Sequence, residues 1–145
     1  MRSLLVIATA ALVALAPATP CDAGIKSIKL SFVKDKSVGL SLEKEGIQVL
    51  SYRFDRPRRG PHKTFNMGAE PALIVSVANA GTEPKEFSLA AALYDREGNL
   101  VGAGSGSQSG KLDPGEEDEI KVVFRDVTQH VAHAVAMQLS LETQL

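Results

Sequence analysis

Along most of this chain apolar and polar residues alternate one for one, and turn formers break the alternation roughly every eight to twelve positions. A period of two sends successive side chains to opposite faces of an extended strand, so one face is buried and the other wetted. A chain patterned this way folds as strands rather than as a helical bundle. Ile28, Leu30 and Phe32 alternate with Lys29 and Ser31, and Val38, Leu40 and Leu42 repeat the pattern before the polar turn Glu43-Lys44-Glu45-Gly46. Ile47 to Phe54 reads as a third strand, with Val49 on one face and Leu50, Tyr52 and Phe54 on the other. Ala72 to Ala78 is the most apolar strand, and Pro71 stands just before it, where a missing N–H does least harm.

The most distinctive stretch, Phe87 to Gly104, reads as a hairpin about Asp95-Arg96-Glu97-Gly98-Asn99. Phe87, Leu89, Ala91 and Leu93 share one face. Ser88, Ala90, Ala92 and Tyr94 share the other, a small face that suggests close approach by another layer. Gly102 to Gly110 is so rich in glycine and serine that it reads as a flexible loop or a weak, twisted edge strand. It fits neither a P-loop nor a dinucleotide fingerprint, and no serine in it sits in a nucleophile elbow. Leu112-Asp113-Pro114-Gly115 is a turn, and Ile120, Val122 and Phe124 alternate beyond it. A loop or single helical turn is expected over Asp126–Ala132, then a last strand over Ala134–Glu142. The spacing of Val127, Val131, Ala134 and Val135 leaves one helix over Thr128–Leu139 as the alternative. Seven or eight short strands predict an all-β fold, an immunoglobulin-like antiparallel β-sandwich.

Residues 1–23 have the build of a signal peptide: Arg2 in a short positive start, an apolar run from Leu4 to Ala16, and small-residue cleavage patterns at Ala16-Pro17-Ala18 and Cys21-Asp22-Ala23. Cleavage after Ala23 leaves residues 24–145 as one exported domain, periplasmic or secreted, with no cysteine and hence no disulfide. A lipid anchor at Cys21 is the alternative, disfavoured by Pro20 directly before it. About 120 residues can bury a sufficient core without such staples.

Chemistry is hard to find. With cleavage after Ala23 there is no cysteine nucleophile; H-E-x-x-H and a glycine-rich nucleotide loop are also missing, so an enzyme is not expected and no cofactor is implied. Four consecutive carboxylates, Glu116 to Glu119, cannot converge on one calcium ion and read as a solvated strand start. The formal net charge of −1 gives no overall field toward nucleic acid or an anionic membrane. The most charged loop carries Arg53, Arg56, Arg58, Arg59 and Lys63, a candidate docking patch or a solvated loop that guards a sheet edge. A soft-metal alternative uses His130, His133 and Met137, with His62 and Met67 as further candidates; His133 and Met137 would share a strand face, and imidazole and thioether suit copper. Met137 also alternates with Leu139 and Leu141, as a core methionine would. The leading expectation is a non-catalytic exported module that binds a protein partner or organises the cell envelope.

At the hairpin, Ala91-Ala92-Leu93-Tyr94-Asp95 followed by Glu97-Gly98-Asn99-Leu100-Val101 resembles the FxLYD domain, with Ala91 in place of the signature phenylalanine. The strand ending at Asn79 and the run Leu112-x-Pro114-Gly115-Glu116 support the resemblance, which covers about 71–142. It implies a small β-sandwich in exported or envelope-anchored microbial proteins, with no catalytic residues. The residues have a physical reading of their own: Leu93 as a core plug, Tyr94 with its hydroxyl at the rim, Asp95 accepting backbone N–H groups, and Gly98 taking positive φ. Amino-terminal sequencing of the protein recovered outside the cytoplasm is expected to begin at Gly24, and radioactive fatty acid to leave it unlabelled; label on the protein would establish the anchor at Cys21.

Overall fold

A computed structural model describes residues 24–55, 70–125 and 131–144. They form eight strands: β1 (Ile25–Ser31), β2 (Val38–Lys44), β3 (Ile47–Asp55), β4 (Ala72–Asn79), β5 (Phe87–Tyr94), β6 (Leu100–Ser107), β7 (Glu117–Val123) and β8 (Ala136–Thr143). A single 3-10 turn at Val131–His133 precedes β8. The fold is all-β, as the alternation predicts. All pairings are antiparallel, and hydrogen bonding links the strands into one sheet in the order β1-β8-β5-β6-β7-β4-β3-β2. That sheet doubles over between β6 and β7, giving two layers of four strands, and its free edges β1 and β2 come close on the opposite side.

The doubling line is the glycine-rich strand. β6 is neither a loop nor an edge: it lies between β5 and β7, and a single pair, Ser105 with Val123, joins it to β7. A Cβ on Gly104 would stand 2.4 Å from the Val123 carbonyl oxygen, and one on Gly106 2.4 Å from that of Lys121. Only hydrogen at those Cα atoms lets the two backbones cross so closely.

The core fills the space between the layers. Leu73, Val75 and Val77 of β4, Ile120 and Val122 of β7, and Val49 of β3 meet Phe87, Leu89 and Leu93 of β5 and Met137, Leu139 and Leu141 of β8. Each large side chain buried this way contributes about 1.5–3 kcal/mol. β3 departs from simple alternation: a bulge between Val49 and Ser51 resets the parity, so Val49 and Tyr52 both point inward while Leu50 is 37% exposed. Leu50 therefore does not share the Tyr52 face.

The nearly closed side is latched by polar groups. The wholly buried Tyr52 accepts a hydrogen bond from Val33 N–H (3.1 Å) and donates one to the Ser31 carbonyl (3.3 Å). Burial pushes its phenol pKa up, so the hydroxyl keeps its proton and remains a donor. Thr143 Oγ1 donates to Glu45 Oε2 at 2.8 Å, joining the end of β8 to the turn between β2 and β3.

On the outer face of the hairpin Ala90 is exposed and Ser88, Ala92 and Tyr94 are half-buried; no strand or helix among the described residues forms a second layer on it. A helix over Thr128–Leu139 is ruled out, because β8 uses its backbone to pair with β1 on one side and β5 on the other. Two glycines separate steric from conformational cost. Gly98 has φ +84° and open space around a notional Cβ, so Gly98→Ala should cost about 1–2 kcal/mol from backbone conformation alone. Gly104→Ala drives a methyl into a main-chain carbonyl and should cost more, about 2–4 kcal/mol, or prevent folding. Urea unfolding of the two variants checks the order.

Candidate functional site

Antiparallel strands sort the connections between two ends. One end holds the loops β1–β2, β3–β4, β5–β6 and β7–β8; the other holds β2–β3, β4–β5 and β6–β7, together with the start of β1 and the end of β8. The first, which we call the loop end, carries a cleft of about 530 Å³ lined by Lys34, Asp95, Arg96, Glu97, His133 and Val135 among others. A smaller one of about 370 Å³, bordered by Lys29, Tyr94 and Gln138, shares Asp95 and Arg96 with it.

The cleft walls are held by specific bonds. Asp95 Oδ1 accepts from Asn99 N–H at 2.8 Å and Oδ2 from Asn99 Nδ2 at 3.0 Å, while the Asp95 N–H donates to the Asn99 carbonyl at 3.0 Å. The Gly98 N–H donates to the Asp95 carbonyl at 3.2 Å. Leu93 is wholly buried beneath this turn, and the half-buried Tyr94 accepts a hydrogen bond at its carbonyl from Val135 N–H, 2.9 Å. Opposite, Lys34 Nζ donates to the carbonyl of Ala132, tying the β1–β2 loop to the 3-10 turn. The result is an open, mixed-charge cleft whose apolar lining includes Val135, 37% exposed; Leu100, at the start of β6 on the same end, is 55% exposed. The Asn99 side chain, foremost among several donors, holds the Asp95 carboxyl below its usual pKa. An ionised, fully engaged carboxylate holds a turn; it is poorly suited to transfer protons at neutral pH.

Of the basic segment read from the sequence, the described part is Arg53, exposed on β3 with Nη2 3.2 Å from Glu119 Oε2. Arg56, Arg58, Arg59 and Lys63 lie outside the described residues, as do Cys21, His62, Met67 and His130. His133 and Met137 do not share a strand face. His133 stands exposed in the 3-10 turn ahead of β8, whereas Met137 is 1% exposed in the core, so its thioether is turned away from the imidazole side of the chain. Among the described residues no group of three His, Cys, Asp or Glu side chains is placed to hold a metal ion. Glu117, Asp118 and Glu119 open β7 as exposed side chains.

Sequence reading did not single out Lys34 or Arg96 as cleft residues. Nor did it find Asn79, a buried polar hub at the opposite end. Asn79 Nδ2 donates to the carbonyls of Glu83 and Leu112, each at 2.8 Å, and its Oδ1 accepts from Gly81 N–H at 2.9 Å. A buried asparagine ending an apolar strand is the signal that marks it. No protein-family model matches this chain, and no curated protein matches it. Among the described residues no helix is long and apolar enough to cross a membrane.

The Asp95 bonds set a pH dependence. A carboxyl whose folded pKa lies below its unfolded value contributes stability that is complete above about pH 4 and is lost as pH falls through the folded value. Asp95→Asn should therefore flatten the acid limb of the stability curve below about pH 4. Thermal unfolding of both forms from pH 7 to 2.5 checks it.

Proposed function

We propose that this chain is an exported, non-catalytic β-sandwich module whose loop end binds a protein partner in the cell envelope. The observation that carries the reading is the cleft among the loops of one end, while the chain enters β1 and leaves β8 at the other. A binding surface built on loops and held by a rigid sheet is a common division of labour in sandwich folds. Cationic Lys34 and Arg96, the engaged Asp95, and exposed Val135 and Leu100 offer the polar and apolar mixture of a protein interface. Asp55 and Glu70, the described residues on either side of the β3–β4 connection, both stand at this end. The hairpin's resemblance to the FxLYD signature and the signal-peptide character of residues 1–23 point the same way.

The test is cross-linking in intact cells with a photoreactive residue at position 96 or 133, compared with one on the outer sheet face at position 90. Reproducible adducts from the loop end and none from position 90 are expected, with Lys34→Glu reducing adduct yield severalfold. Equal labelling from all three positions would overturn the reading, as would a measurable turnover that survives loss of the adducts.

A further inference from the structure

The overall charge of −1 conceals a strong separation. Around the end where β1 begins and β8 finishes, the loops and adjoining strand halves carry ten carboxylates and four lysines. Around the loop end, the described residues carry seven lysines and arginines and five carboxylates, one of them the engaged Asp95. Strands of seven or eight residues set the ends about 25 Å apart. The Debye length at physiological ionic strength is about 8 Å, so each end presents its own field instead of a cancelled average.

The acidic end is also preformed. Asn79 clamps the β4–β5 and β6–β7 loops together through the carbonyls of Glu83 and Leu112, and its own carbonyl accepts from Gly115 N–H at 2.7 Å. Glu116 Oε2 caps the Asp113 N–H at 3.1 Å, fixing the tip of the β6–β7 loop. Its carboxylates thus project from an ordered loop, and ordering entropy is already spent before any contact forms. At the loop end, Lys34 and Arg96 flank a concave cleft whose walls are fixed by the Ala132 and Asn99 bonds.

We propose that the occupant of the loop end is the acidic end of a second copy of this chain, so that copies associate head to tail. This rests on the loop end being the binding surface. Charge complementarity selects the occupant: the acidic end and the loop end, with its cationic excess around a mixed-charge cleft, belong to the same polypeptide and are present at equal concentration. Two different surfaces meet, so the contact is heterologous and extends into open chains unless a rotation closes it. Electrostatics of this kind speeds encounter and fixes orientation, and it weakens steeply with salt.

The experiment is sedimentation velocity on the full chain purified from the cells that make it, at about 0.01 M and about 1 M salt, where the Debye lengths are about 30 Å and 3 Å. Two charge-reversed proteins accompany it. Lys36→Glu with Arg96→Glu reverses the loop end. Glu83→Lys with Glu117→Lys reverses the acidic end. All four side chains are exposed, and circular dichroism confirms the folded state of each variant. Wild type should associate with rising concentration at low salt and be monomeric at high salt, and each variant alone should associate at least about tenfold more weakly. An equimolar mixture of the two variants should associate again, because each then meets a complementary end. A monomeric wild type at low salt overturns the proposal, as does association that persists at high salt or in both variants, or a mixture that stays monomeric. Loop-end adducts to other proteins in cells, from a chain that does not self-associate, would overturn the second copy as occupant and leave the protein-binding reading standing.

Discussion

The close crossing of β6 over β7 is the contact on which the rest of the architecture depends. An eight-stranded antiparallel sheet of ordinary side chains would twist and leave one face wet along its whole width. Here Gly104 and Gly106 press against the carbonyls of Val123 and Lys121, and only one residue pair continues the ladder across the line. The sheet can therefore turn over sharply, and the apolar faces of β4 and β7 land on those of β5 and β8. What would otherwise be two exposed apolar sheets becomes a single core.

Doubling the sheet has a second consequence. Antiparallel order already sends alternate connections to alternate ends, but only the fold-over gathers described residues of three of them, β1–β2, β5–β6 and β7–β8, around one cleft. It brings the β5–β6 turn, fixed by Asp95 and Asn99, next to Lys34 and the 3-10 turn, which are distant in sequence. At the other end the same gathering sets the Asn79 hub under two acidic loops. The opposition of charge between the ends is thus a product of topology acting on a chain whose overall charge is close to balance.

Much of the fold was legible in the sequence because period-two alternation is a local property. Leu73, Val75 and Val77, or Leu89, Ala91 and Leu93, announce their buried face without reference to any partner strand. Reading failed where the partner decides. The Val49–Ser51 bulge is set by register against β4 and moves Leu50 to the outside. The outer face of the hairpin is small and apolar, yet no layer among the described residues covers it, since coverage belongs to the packing of whole layers. His133 and Met137 look adjacent in an extended chain, but β8 begins only at Ala136.

Taken alone, the sequence determined the strands, their turns and the all-β class, because side-chain alternation and turn chemistry act over a few residues. It also set the hairpin loop, where Asp95 and Gly98 satisfy backbone demands three residues apart. Tertiary structure decided that a glycine-serine stretch is an interior strand, which end gathers each loop, and how a net charge near zero divides into two fields. Those outcomes depend on distances between residues remote in the chain, and such distances are fixed only when the sheet closes over its core.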